Sequence, residues 1–363
     1  TSVAGLPAAL AGRGGTRIRP GPAAAYAPGP PPAPAGTAPV TRPRPRTAAP
    51  TPRRGKMLET GTGPIDGAVY VPASARTVRW GRLPCADTPP VAEIPSGGTV
   101  TLDTVSHEGI LEDQGRDPVA FFGAYGVRPD GVLRDARELA ASAVPRDPVR
   151  DGPHVVTGPV RVASARPGDV LRVETLSLRR RAPYGIVSTR HGRGALPGEF
   201  AAKEPEFTFC RAEDGTGRIA YGAGREARFP LAPFLGLTGV ATAGGEPAHS
   251  VPPGRHGGNL DIKHLVTGST LYLPVQVDGA GFYAGDPHYA QGNGEVALTA
   301  LEAPLRATFR LTVLRDAAAH LLRRPFAETR AHWIPVGLHE DLGEAMRDAV
   351  RAALDFLRER HGM

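Results

Sequence analysis

Only two cysteines, Cys85 and Cys210, occur in the chain. That is too few for a disulfide framework or a thiolate metal cage, and it fits a reduced, cytoplasmic protein. Long apolar runs are missing too. No stretch approaches the roughly 20 residues that a membrane span needs, and the N-terminus has no clear apolar signal core. There is no GxSxG elbow and no Walker loop, and "GAGREA" lacks the strand-to-helix context of a dinucleotide fingerprint. Serine-elbow, P-loop and dinucleotide chemistry therefore find no support.

Acidic residues are absent from the first 56 positions, which hold small residues, proline and nine basic side chains from Arg13 to Lys56. Such a segment cannot bury enough apolar surface to offset its chain entropy, so residues 1–56 are expected to be a disordered Pro/Ala/Arg-rich tail without a function of its own. We read Met57 as the start of the folded part. The tail carries +9 against +7 for the whole chain, so the remainder sums to −2. The basic pI of about 9.8 thus belongs to the tail, and the folded part does not call for nucleic acid.

From about residue 66 to 316 the chain shows short β-branched runs between Gly and Pro turns: "GAVYVPA", "GGTVTLDTVS", "HVVTGPVRVAS", "DVLRVETLSL", "STLYLPVQVDG", "GEVALTALEA" and "LRATFRLTVL". Their alternation and short spacing predict an antiparallel sandwich or barrel. "ARPGDVL" predicts a tight turn at Pro167 and Gly168. Helical period is weak over 133–144 and strong in "DLGEAMRDAVRAALDFLRERHG". There Asp341 and Glu344 suggest a capped start, and Leu342, Met346, Val350, Leu354 and Leu357 a packing stripe.

Two glycine-punctuated runs gather the chemistry. "PPGRHGGNLDIKHL" supplies His256 and Asp261, and "GDPHYAQGNGE" supplies Asp286, His288 and Glu295. Imidazole and carboxylate donors around an irregular backbone suit a divalent metal, and Asp286 and His288, two apart, point the same way if the chain is extended there. Gly, Asp and Asn are also ordinary turn formers, so the grouping argues for a site more than any single residue does. Weaker candidates are His107, Glu108, Glu112, Asp113 and Asp117 in "TVSHEGILEDQGRDP", and His154, His191 and Glu199, read as pocket-edge or exposed. His320, His332, His339 and His361 read as surface residues.

An ordered series of words, from "TGPVRVASARPGDVLRVE" through "GALPGEF", "FPLAPFLGLTGVA" and the long "PPGRHGGNLDIKHL…GDPHYAQGNGEVALTALEAP" to "IPVGLHEDLGEAMRDAVRAALDFL", resembles the acetamidase/formamidase family. The resemblance implies a mainly β, jelly-roll-like sandwich with an accessory α/β part and the C-terminal amphipathic helix, so that residues 57–363 form the catalytic domain. It implies hydrolysis of the C–N bond of short linear amides, formamide or acetamide, to carboxylate and ammonia by metal-activated water. A divalent metal is expected, zinc by choice with calcium also associated, in a homo-oligomer that takes a small amide and binds neither nucleic acid nor membrane. Carried onto matching positions, it places His256 and Asp261 in one family word and Asp286, His288 and Glu295 in another, with Asp261, Asp286 and His288 taken nearest the metal, Glu295 as base or ligand and His256 in a catalytic place; His107, outside these words, is taken to complete the catalytic set. Asn293 stands where the family more often has Asp, and the end directly after the helix suggests a shortened chain. "SHEGILEDQGRDP" and "STRHGRG" differ from simple acetamidases. A larger or cyclic amide, or a non-enzymatic β-sandwich binding module, are the alternative readings.

Overall fold

The computed structural model describes residues 57–190, 192–200, 204–222 and 224–363. The expected tail and His191 lie outside these residues. Two sheets carry the fold. One has seven strands in the order Val69–Val71, Gly98–Asp103, Leu305–Leu314, Val170–Arg180, Thr270–Pro274, Phe326–Glu328 and Trp333–Pro335. The other centres on Phe282–His288, between Phe234–Gly239 and Val155–Val162.

Apolar residues of both sheets form one core: Leu102, Leu171, Leu305 and Leu311 from the first, and Val160, Leu235, Phe282 and Ala284 from the second. Phe282 and Phe309 meet across it edge to face at 5.2 Å. The protein is therefore mainly β and sandwich-like, because each strand turns one apolar row inward. Tyr184–Thr189, Glu206–Glu213, Thr216–Tyr221 and Arg225–Pro230 form a four-stranded antiparallel ribbon. The helices Pro118–Gly123 and Arg134–Ala140 sit in the long connection before Val155. Asp117 caps the first by accepting hydrogen bonds from the Val119 and Ala120 N–H groups. Among the described residues no helix is long and apolar enough to cross a membrane.

Six of the seven predicted β runs contain strands, and Gly168, with φ 97°, makes the turn into Val170–Arg180. "GEVALTALEA" does not form one. Glu295 and Leu298 adopt left-handed angles, φ 47° and 96°, which break an extended run. Conversely, "GDPH", read as irregular, closes a strand.

The C-terminal helix spans Leu342–His361; Asp341 accepts from the Glu344 N–H, and Gly362 ends the helix in a left-handed turn. Its packing differs from the expected stripe. Leu342, Met346, Val350 and Leu354 are 84, 56, 50 and 47% exposed, whereas Ala352 and Phe356 are buried. A strict four-residue repeat drifts about 40° per step around an α-helix, so that row winds away from the sheet. Phe356 instead docks against Phe326 and Trp333, with ring centroids 5.1 and 4.9 Å away.

Candidate active site

Asp286 and His288 lie at the end of the Phe282–His288 strand, opposite Phe234–Gly239. Asp286 is left-handed, φ 52°, so the pair is not held by extended geometry, yet His288 Nε2 lies 3.2 Å from Asp286 Oδ2. Asp261 follows the Gly257–Asn259 strand, and its carbonyl accepts from Gln291 Nε2 at 2.9 Å, which ties the two glycine-rich runs together. Asp261, at φ 48°, and Glu295, at φ 47°, are left-handed as well. Three carboxylate residues in a sparsely populated backbone region at one place mark strain kept by the surrounding fold.

Space for this cluster comes from Gly236. A Cβ there would stand 2.4 Å from His288 Cε1, 2.5 Å from Asp261 Oδ1 and 2.8 Å from Asp286 Oδ2. A glycine on the facing strand is the condition for the three side chains to converge.

Glu302, unremarked in the sequence, completes the cluster. Its backbone exchanges hydrogen bonds with Ile186, and its Oε1 lies 3.0 Å from His288 Nε2. His107 reaches in from beyond the Gly98–Asp103 strand, with Nδ1 3.5 Å from Asp286 Oδ1 and 3.9 Å from Glu302 Oε2. Beside it Glu108 accepts from Ser188 Oγ at 2.7 Å, Arg190 Nη2 at 2.5 Å and Gln114 Nε2. His154, expected at a pocket edge, is buried with Nε2 3.9 Å from Asp286 Oδ2.

His256 is placed differently. Its ring folds back on its own turn, close enough that a Cβ at Gly254 would touch Cε1 at 2.7 Å and one at Gly258 would touch Nε2 at 2.9 Å. It pairs with none of the cluster's carboxylates among the described residues, and burial alone lowers its pKa. Glu112 pairs with Arg146, Asp113 with Arg190, and Asp117 caps a helix. Glu199, His332, His339 and His361 are exposed, and His320 bonds Glu359.

The charges in this buried space do not balance. Burial, then the Asp286 charge, pushes Asp261 up to about 7; burial, then Asp261, pushes Glu295 up to about 9. Burial also raises Glu302. For Asp286 burial is outweighed by His288 and His154, which hold it well below the usual carboxylate range. Burial opposes charge on His107 and His288 also. Asp286 and Glu108 raise His107 to about 10, and Glu302 and Asp286 raise His288 well above its usual value. Burial, with charge on His107 and His288, depresses His154 to about 4.

The donor atoms point at common space, not at each other. His107 Nδ1, Asp261 Oδ1, Asp286 Oδ1, both His288 ring nitrogens and Glu302 Oε2 are buried without a hydrogen bond. The 3.0 and 3.2 Å approaches at His288 Nε2 are short in distance but lack hydrogen-bond direction. Orphaned anionic and imidazole donors are costly unless a cation serves them. Among the described residues three overlapping groups can hold a metal ion: His107, Asp286 and Glu302; Asp261, Asp286 and His288; and His288, Glu295 and Glu302. The residues fit a divalent cation.

Residues 233–332 match the profile of the Acetamidase/Formamidase family, a span that includes Asp261, Asp286, His288, Glu295 and Glu302. The chain is 28% identical over 198 residues to an acetamidase of Mycolicibacterium smegmatis, covering 39% of this chain and 49% of that one. It is 29% identical over 221 residues to a putative formamidase of Schizosaccharomyces pombe, covering 46% of this chain and 53% of the other. The chain thus spans about half the length of these curated relatives. The solved acetamidase of Bacillus halodurans superposes with a TM-score of 0.62 at 27% identity, over 81% of this chain and 86% of that one.

Proposed function

We propose that the chain, whose residues 233–332 match the profile of the Acetamidase/Formamidase family, hydrolyses a small linear amide to carboxylate and ammonia at the buried cluster. The observation that carries this reading is the convergence of unpaired donors from His107, Asp261, Asp286, His288 and Glu302. Mixed nitrogen and oxygen donors favour zinc over calcium, which prefers six to eight oxygens. When bound, such a cation supplies Lewis acidity for the amide carbonyl and for water.

The protein's own groups supply the rest. Asp261, Asp286, His288 and Glu302 would hold the cation, and His107 is oriented against Asp286 with Glu108 and Arg190 behind it. Arg190 and Ser188 hold Glu108 ionised against its burial, which fixes the His107 ring from the far side. Glu295 stands at the half-buried rim. Once a bound cation offsets burial and the Asp261 charge, which raise its pKa, its carboxylate would take a proton from the attacking water and return it to the departing nitrogen, which leaves as ammonia. A serine or cysteine nucleophile is not required.

A substrate series tests the proposal: formamide and acetamide against bulkier amides and lactams, with metal content measured on the same sample. Fastest turnover of the small linear amides is expected. Folded, metal-loaded protein inert on every small amide would overturn the reading, and faster lactam turnover would overturn its substrate assignment.

A further inference from the structure

His154 belongs to none of the three donor groups that can hold a cation, yet it faces the cluster. It immediately precedes the Val155–Val162 strand, whose pairing with Phe282–His288 brings its ring beside Asp286. The His107 ring meets it edge to face at 5.6 Å. At 8% exposure it is the least covered of the cluster's three imidazoles, against 3% for His107 and 0% for His288.

Its orientation is fixed from behind. Nδ1 lies 3.0 Å from Ser250 Oγ. Ser250 is fully buried, its N–H donates to the Gly81 carbonyl, and the Gly81 N–H donates to the His154 carbonyl. A Cβ at Gly152 would stand 2.0 Å from Ser250 Oγ, so that glycine leaves the hydroxyl its place. A lone pair on Nε2 would face the anionic Asp286 Oδ2, so the favoured tautomer carries its proton on Nε2 and accepts the Ser250 hydroxyl hydrogen at Nδ1. At 3.9 Å the Nε2 to Oδ2 separation is too long for a hydrogen bond, which leaves the N–H free for a third atom.

We propose that His154, its tautomer set by Ser250, is a further catalytic residue, whose Nε2–H donates to the amide carbonyl oxygen and to the oxyanion that succeeds it. The assignment rests on the amidase reading above. Addition of water to the carbonyl carbon forms a C–O bond and moves the C=O π pair onto oxygen. His154 donates a hydrogen bond to that oxygen and transfers no proton. On collapse the C=O bond re-forms, the C–N bond breaks, and nitrogen leaves with the proton the water gave up. A neutral donor suits this task, because its N–H is already aimed and need not be given away.

The test uses the metal-loaded protein and its His154→Leu, His154→Gln and Ser250→Ala variants, assayed on acetamide and thioacetamide with bound metal measured in each. Loss of an oxyanion donor lowers kcat/KM by about 10²-fold or more, so His154→Leu should lose that much on acetamide with its metal retained. Sulfur accepts hydrogen bonds poorly, so the loss should be smaller on thioacetamide and the oxygen-over-sulfur preference should shrink. His154→Gln, which keeps an N–H near the same place, should recover much of the rate, and Ser250→Ala should fall between. Equal losses on both substrates, unchanged acetamide turnover in His154→Leu, or loss of bound metal would each overturn the assignment. Wild-type protein inert on both substrates would overturn the amidase reading, and this one with it.

Discussion

Gly236→Ala is the smallest change that bears on the whole cluster. The glycine does not use left-handed backbone angles, so alanine meets no conformational barrier there and its effect is one of space. The added methyl would stand 2.4 Å from His288 Cε1 and 2.5 Å from Asp261 Oδ1. Ordinary contact between carbon atoms lies near 3.5 Å, so each group must retreat by about 1 Å. Displacement of that size in a catalytic constellation costs about 10²-fold in rate, and overpacking a closed site costs about 1–3 kcal/mol of stability. Gly292→Ala is the control, since nothing lies within 4 Å of its added carbon and its φ of −73° suits any residue. Both variants would be assayed for ammonia release, thermal midpoint and bound metal. Gly236→Ala should lose activity and metal affinity while Gly292→Ala keeps both. A Gly236→Ala protein with wild-type turnover and metal content would refute the claim that these side chains share one crowded centre.

Further expectations follow from the same geometry. Glu302→Gln keeps the shape of a buried side chain but removes one carboxylate from two of the three donor groups; metal affinity should fall by at least tenfold in a competition titration. Arg190→Leu leaves Glu108 buried beside His107 without its principal counter-charge, and loss of one partner of a buried pair costs about 3–5 kcal/mol, measurable by denaturant unfolding. In metal-free protein, raised values at Asp261, Glu295, His107 and His288 mean that the folded state binds more protons than the unfolded state between pH 7 and 9. Its stability should therefore fall as pH rises through that window, and the thermal shift produced by added zinc should grow; a zinc shift that is flat from pH 7 to 9 would contradict this.

Much of the site was legible because its backbone is irregular. Glycines and turn residues announced the segments that carry Asp261, Asp286, His288 and Glu295, and three of those four residues do take the left-handed angles such segments permit. Glu302 gave no such signal. It stands in the plain run "LTALEAP", and isolated β-bridges to Ile186 and His288 bring its side chain against His288. His154 was read from the sequence only as a pocket-edge or exposed residue, since its place in the cluster depends on the pairing of Val155–Val162 with Phe282–His288. His256 shows the opposite case. The glycines after it allow a sharp turn, but local freedom does not decide which way the ring faces, and packing sends it back against Gly254. In the C-terminal helix, period and caps were readable from sequence, while the buried face was chosen by where Phe326 and Trp333 lie.

The most direct test of the central claim is ammonia release from formamide and acetamide by the purified protein, assayed as isolated, after chelation, and after zinc is restored. The account predicts turnover that disappears with the metal and returns with zinc. Turnover unchanged after metal analysis confirms complete removal would contradict it, as would folded, zinc-loaded protein that releases no ammonia from either amide.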